Sequence, residues 1–206
     1  RAAEIAALPY DVYNRREAEE IVKKNPLSFL RIDRAETNFD ESVGVYDDIV
    51  YQKAHALLWQ MVEEGSFVRD EKPCYYIYEL TMEGRVQTGI VACASIDDYE
   101  KNVIKKHEST RAEKEADRVR HIDTCNAQTG PIFLAYRGQA AIDEVVERTK
   151  KGRPLYYFTA DDGITHRVFL IEDEADIETI HSQFARLDSI CLLYTSPSPR
   201  DSTSCR

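Results

Sequence analysis

CYYIYEL (residues 74–80) and VQTGIVACASI (residues 86–96) form the stretch that decides the fold. Both runs are rich in β-branched and aromatic residues, and the TMEGR segment between them contains the glycine of a short turn. This pattern predicts a β-hairpin. Because its aromatic side chains alternate in a way that suggests cover on both faces, we expect this hairpin to form the centre of a sheet.

Further strands and helices follow from the patterns on either side. Residues 155–160 and 164–171 predict a second hairpin around Asp161-Asp162-Gly163, while residues 27–32 (LSFLRI) and 131–136 (PIFLAY) predict a mostly buried strand and a third central strand. Apolar residues at helical spacing predict helices over residues 15–24, 48–64, 110–124, 140–151 and 174–187. Paired strands with interspersed helices give an α+β fold, with a mixed sheet, two β-hairpins and flanking helices.

The last segment, residues 191–206 (CLLYTSPSPRDSTSCR), differs from the rest of the chain. Residues 191–201 correspond to the translation of DNA that resembles a transposase-type sequencing adaptor. The chain also opens at Arg1, inside an apolar, helix-like stretch. We therefore expect residues 1–190 to be the N-terminal part of one domain, incomplete at both ends, and residues 191–206 to be a non-native tail without specific contacts. The alternative is a natural Ser/Pro-rich disordered C-terminus.

Composition restricts the classes of function. A formal net charge of −10 and a pI near 5.1 disfavour broad binding to the DNA backbone, which needs clustered Lys and Arg. No apolar run approaches the roughly 18 residues of a membrane span. Cys74, Cys93 and Cys125 are isolated thiols, which suit a reducing compartment. The sequence therefore predicts a cytoplasmic protein with no membrane span, and its charge disfavours DNA as a partner.

Residues 107–110 (HEST) are the most informative polar segment. An imidazole and a carboxylate stand next to each other just before a predicted helix, whose free N–H groups favour an anion. A phosphate or carboxylate site is one interpretation, and a solvated loop in which Thr110 caps the helix is the other.

The helix that follows residues 107–110 carries basic residues at intervals of three and four. They are Arg111, Lys114, Arg118 and His121. They could attract a phosphorylated ligand, although interleaved acidic residues also fit an ordinary soluble surface. No zinc-type spacing of His and Cys occurs, so we expect no metal site.

Four motifs, taken in order, resemble the family known as domain of unknown function 1015. They are Pro9-Tyr10-Asp11-Val12, Asn25-Pro26-x-Ser28-Phe29-Leu30-Arg31, Val103-Ile104-x-x-His107-Glu108-x-Thr110 and Thr129-Gly130-Pro131-Ile132-Phe133. The resemblance covers essentially all of residues 1–190. It implies a continuation into an Ala-Asp-Gly-His-His-Arg segment, similar to the signature of ParB-like folds that act as free serine kinases. In this chain the adaptor-like tail stands at that place.

The resemblance implies that the intact parent is a nucleotide-dependent kinase of free serine or a similar small hydroxyl compound. ATP or ADP with Mg²⁺ would be its cofactors, and the present chain would be an inactive truncated product. The alternative is a ParB/Spo0J-like regulatory protein that binds nucleotide or DNA without turnover. On motif position, the catalytic candidates are Glu108 and Asp11, and the substrate- or phosphate-binding candidates are His107, Thr110, Arg118 and Tyr10.

Overall fold

The computed structural model describes residues 1–106 and 111–193. Three of the predicted site residues, His107, Glu108 and Thr110, lie outside these ranges, as do residues 194–206 of the predicted tail. Within the described residues the chain forms helices and two separate sheets, so the α+β prediction is confirmed. The helices are α1 (Ala2–Ile5), α2 (Arg15–Lys24), α3 (Leu30–Asp33), α4 (Asp48–Glu63), α5 (Ile96–Glu100), α6 (Ala112–Cys125), α7 (Ala140–Thr149) and α8 (Glu174–Phe184).

Helices α2 and α4 begin and end within one residue of the prediction, whereas α6 begins two residues later and α7 and α8 end two and three residues earlier than predicted. The Asn14 side chain accepts a hydrogen bond from the Glu17 N–H, and the Glu17 carboxylate accepts one from the Asn14 N–H, which forms a capping box at the start of α2. Helix α4 is followed by Gly65 at a φ of 72°, a conformation that glycine adopts without steric cost. Local signals therefore mark the start of α2 and the end of α4.

The first sheet contains both predicted hairpins. Its strands β1 (Tyr75–Met82), β2 (Arg85–Val91), β5 (Tyr156–Thr159) and β6 (Thr165–Ile171) are antiparallel, in the order β2-β1-β6-β5. The turn between β1 and β2 consists of Glu83 and Gly84, at φ values of 50° and 78°, as a type I′ hairpin turn requires. Strand β1 is central, as predicted, whereas β2 is an edge strand.

A second, smaller sheet corrects two predictions. Its strands are β3 (Ile104–Lys106), β4 (Phe133–Ala135) and β7 (Ile190–Leu193), with β7 between the other two. The predicted third central strand is thus a short edge strand, β4, outside the main sheet. Cys191 and Leu192 pair with both neighbours and Leu193 pairs with β4, so the expectation that residues from Cys191 onward lack specific contacts is wrong for these three.

The predicted strand over residues 27–32 is also wrong, because this segment forms a turn and then α3. Ser28 Oγ accepts a hydrogen bond from the Leu30 N–H at 3.3 Å, and the Phe29 N–H donates to the Ile5 carbonyl at 2.8 Å. Leu30 and Ile32 are both buried. Burial of alternate residues gives the same pattern in a short buried helix as in a strand, and therefore misleads.

Two apolar clusters support the two halves of the fold. One joins α3, α4 and α6, and the other lies between the first sheet and the pair α7 and α8. The members of the first are Ile32, Ala35, Val50, Ala54, Leu57, Leu58, Met61 and Cys125, and those of the second are Ile77, Ile142, Val145, Val146, Phe169, Ile171 and Ile180.

Candidate functional site

The loop between α1 and α2 carries two of the predicted site residues, Tyr10 and Asp11. Its backbone is held by Arg34, whose guanidinium donates to the carbonyls of Tyr10, at 3.0 Å, and Tyr13. Arg34 in turn pairs with the nearly buried carboxylate of Glu36. The loop therefore has a defined position even though it contains no helix or strand.

Helix α6 meets this loop through two cations. The Arg118 guanidinium lies over the Tyr10 ring, 4.1 Å from the ring centroid, and Lys114 Nζ lies 3.8 Å from Asp11 Oδ2. Lys114 and Arg118 are four residues apart, so they project from the same face of α6. The fold thus brings together Tyr10, Asp11 and Arg118, which sequence motifs separated by about a hundred residues had suggested.

Asp117 fixes the orientation of Arg118. Its Oδ2 accepts hydrogen bonds from Arg118 Nε and Nη2 at 2.9 and 2.7 Å, and its Oδ1 accepts one from the Tyr51 hydroxyl at 2.7 Å. The Arg118 side chain nevertheless keeps 29% of its surface exposed. A guanidinium that is oriented in advance and still reaches solvent is suited to binding an anionic ligand.

Asp33, at the end of α3, is the functional candidate that sequence reasoning missed. Its Oδ1 is buried and has no hydrogen-bond partner among the described residues. Burial raises the pKa of Asp33 to about 6, although the charge of Arg118 and a hydrogen bond with Thr129 act in the opposite direction. A carboxyl group that titrates near neutral pH beside a cation is suited to accept a proton. The sequence feature that could have indicated Asp33 is its position two residues after Arg31, where the second family motif ends.

His121 and Cys125 form the back of this region and have structural roles. His121 Nε2 donates to the Ile32 carbonyl at 3.2 Å, and burial lowers the pKa of His121, so the ring is neutral. Burial also raises the pKa of the Cys125 thiol to about 11, which keeps it protonated. The basic face predicted for α6 therefore does not include His121.

Two kinds of feature are absent from residues 1–106 and 111–193. There, no group of three or more His, Cys, Asp or Glu side chains has an arrangement able to hold a metal ion. No helix in these ranges combines the length and apolar character that a membrane span needs.

Comparison with known proteins gives one match. The family model described as Protein of unknown function (DUF1015) matches residues 1–192. Neither the curated proteins nor the solved structures give a match. The matched range includes Tyr10, Asp11, Asp33 and Arg118, and it extends through Leu192, beyond the boundary predicted at residue 190.

Proposed function

This chain belongs to the DUF1015 family, and we propose that its intact parent is a cytoplasmic phosphotransferase that uses a nucleotide to phosphorylate a small hydroxyl compound such as free serine. The observation that carries the proposal is that Lys114 and Arg118 both contact the Tyr10 loop, while Asp33 lies close enough to Arg118 for that charge to act on its pKa. Two cations and a carboxyl of raised pKa are the groups that transfer of a phosphoryl group to a hydroxyl needs.

Arg118 and Lys114 supply the positive charge. In the proposed function both bind phosphoryl oxygens, Arg118 through the donor that Asp117 leaves unused and Lys114 as a point charge. Their present partners, Asp117 and Asp11, keep the cations in place when no ligand is bound. The Tyr10 ring holds the guanidinium plane, since a cation over an aromatic face gains about 0.5–1 kcal/mol.

Asp33 supplies the proton acceptor. Because burial raises its pKa to about 6, the carboxylate is ionised at pH 7 and is more basic than an exposed Asp. It would take the proton of the substrate hydroxyl as the oxygen attacks, and Thr129 would orient it. Glu108 remains a second candidate for this role, with His107 and Thr110 as candidate phosphate contacts, on motif position alone.

A nucleotide with Mg²⁺ fits the chemistry of these residues. Mg²⁺ usually keeps several waters and needs only one or two carboxylates besides the phosphates, so a preformed cluster of three acidic residues is not required. Asp11 would hold the cation, and Lys114 and Arg118 would hold the phosphates. When bound, the nucleotide supplies the phosphoryl group.

Phosphate binding to this chain tests the proposed role of Lys114 and Arg118. We expect inorganic phosphate or ADP, followed by ³¹P NMR or calorimetry, to bind with a dissociation constant of about 1 mM, since the cations are few and partly paired. Arg118→Met should raise this constant about tenfold, the loss of one charge-assisted contact. Arg120→Met is the matched control, because Arg120 lies on the same helix, pairs with Asp48 and covers the Tyr51 ring at 4.5 Å. Equal effects of the two variants would contradict the proposal.

Turnover tests the chemical part. The intact parent is incubated with free serine, Mg²⁺ and ATP or ADP, and phosphoserine is measured by mass spectrometry. Asp33→Asn should lower turnover by about 10²-fold or more while leaving the nucleotide dissociation constant unchanged, as expected for a general base. Nucleotide binding without any phosphorylated product would favour the alternative, a ParB/Spo0J-like regulatory protein.

A further inference from the structure

Strand β2 leaves one edge of the first sheet open. On the opposite side of the sheet, the edge strand β5 is contacted by α1. Within the described residues no strand pairs with the outer side of β2. Its side chains are exposed apart from the half-buried Ile90, and Val86 keeps 56% of its surface accessible.

The hairpin turn determines which backbone groups of β2 face this open side. In a two-residue hairpin the residues that flank the turn, here Met82 and Arg85, form a hydrogen-bonded pair. Hydrogen-bonded and non-hydrogen-bonded pairs then alternate along the ladder. The N–H and C=O groups of Val86, Thr88 and Ile90 therefore point outward, away from β1.

This edge also lacks the features that usually prevent strands from associating. Exposed edges are commonly protected by proline, by a bulge, or by a charge in the middle of the strand. In β2 the register with β1 is continuous, proline is absent, and the one charged residue, Arg85, stands at the first position. The rest of the strand, VQTGIV, is uncharged.

We propose that β2 is a dimerisation edge, and that it pairs with β2 of a second copy in antiparallel orientation around a two-fold axis at Thr88. In this register Thr88 lies opposite Thr88 of the partner subunit. Val86 lies opposite the partner's Ile90, and Ile90 lies opposite the partner's Val86. All three outward-facing residues of each copy are then in hydrogen-bonded pairs, and the two four-stranded sheets become one continuous sheet. This inference does not depend on the proposed function.

The register is self-complementary in charge and in polarity. Apolar Val86 and Ile90 face each other across the interface, and an uncharged threonine lies opposite its own copy at the centre. Arg85 lies opposite the partner's Val91. The two Arg85 side chains are six positions apart along the paired strands, about 20 Å, so no like charges meet. A segment of a different protein would need no such symmetry, and for this reason we assign the edge to a second copy.

The oligomeric state of the full chain tests the inference. Sedimentation equilibrium over about 1 to 500 μM should show a monomer–dimer equilibrium. Val86→Pro removes an outward N–H without removing a bond to β1, and should raise the dimer dissociation constant at least tenfold. Val86→Ala keeps the N–H and is the matched control, which should leave the constant within about threefold. Circular dichroism confirms that both variants fold. A wild-type chain that stays monomeric, or equal effects of the two variants, overturns the proposal.

The register has its own test. Paired Cα atoms at a two-fold lie about 5.5 Å apart, within the range of a disulfide. In a Cys93→Ser background, oxidation should link Thr88→Cys chains through residue 88, whereas Arg85→Cys chains should stay unlinked through residue 85. Peptide mapping identifies the linked residue. A dimer that links through residue 85 and not through residue 88 would overturn the two-fold at Thr88.

Discussion

Two carboxylates, Glu79 in the first sheet and Asp33 at the end of α3, are both shielded from water, but they differ in how completely they are paired. Glu79 is 1% exposed and pairs with both Lys150 and Arg167, and Thr88 donates to it at 3.3 Å. Burial raises the pKa of Glu79, but the hydrogen bonds and charges of Lys150 and Arg167 outweigh it and hold the pKa below its usual value. Asp33 has a buried oxygen without a partner, and its pKa is raised.

The difference separates a structural charge from one that is available for chemistry. A fully paired carboxylate stays ionised, and its removal would leave the partner cations without a counter-ion. An incompletely paired carboxylate lowers stability at neutral pH and can accept a proton. Such a cost is typical of functional sites, which is why Asp33 rather than Glu79 enters the proposed function.

The largest effect is expected from removing the packing beside Glu79. Ile77 is fully buried, two residues before Glu79 on the same face of β1. Ile77→Ala should lower the free energy of unfolding by about 4 kcal/mol, since it leaves a cavity in the second apolar cluster. Urea denaturation measures this. Ile90→Ala, at a half-buried position, should cost less, and equal costs would contradict the assignment of β1 as the central strand.

Removing the Glu79 charge should cost about 3 kcal/mol at pH 7, because Lys150 and Arg167 lose their common counter-ion. The pH dependence of this stability difference follows from the lowered pKa. The pKa of Glu79 is lowered on folding, so its contribution is present above its usual pKa and is lost as the pH falls through the lowered value. The difference between wild type and Glu79→Gln in urea denaturation should therefore shrink in strong acid. A constant difference down to pH 2 would show that the cost is steric.

Asp33→Asn should have the opposite effect on the free energy of unfolding at neutral pH. The pKa of Asp33 rises from 3.8 to about 6 on folding, so ionisation above pH 6 destabilises the folded state and protonation below pH 3.8 removes that cost. The variant should be more stable than wild type by about 2 kcal/mol at pH 7.5 and equally stable near pH 3.5. Paired denaturation curves at the two values test this. Destabilisation at pH 7.5 would mean that Asp33 is a structural partner of Arg118.

The smallest effect is expected at the rim of the site. Lys114 and Asp11 are both well exposed, so Lys114→Met should change the free energy of unfolding by at most about 0.5 kcal/mol. The same variant should weaken phosphate binding to this chain several-fold. Loss of stability without loss of phosphate binding would mean that Lys114 has a structural role and does not bind phosphate.

Local signals predicted much of the fold, and nonlocal pairing explains the errors. The capping residues of α2 and the turn residues of both hairpins act within a few positions, and these elements are confirmed. Strand β4 was misplaced because its partner is β7, whose residues 191–193 fall in the predicted tail. Residues 27–32 were misassigned because burial of alternate residues resembles a strand, whereas Ile32 belongs to a short helix that is buried by α4 and α6, later in the sequence.

For the candidate site too, local patterns predicted some residues and missed one that depends on the fold. Motif position and helical spacing indicated Tyr10, Asp11 and Arg118, and the fold brings these three together. Asp33 escaped notice because a single aspartate beside arginines is typical of any soluble surface. Its raised pKa comes from burial in the folded chain, a property that no local pattern records.

The position of β7 has a consequence for how the protein is made. During synthesis β1 and β2 can pair as soon as both leave the ribosome, whereas β3 and β4 each need Ile190–Leu193, at the far end of the described chain. Parallel and long-range pairings of this kind form slowly. The second sheet is therefore expected to close after the first hairpin, and until β7 has been made the edges of β3 and β4 are exposed to chaperones and proteases.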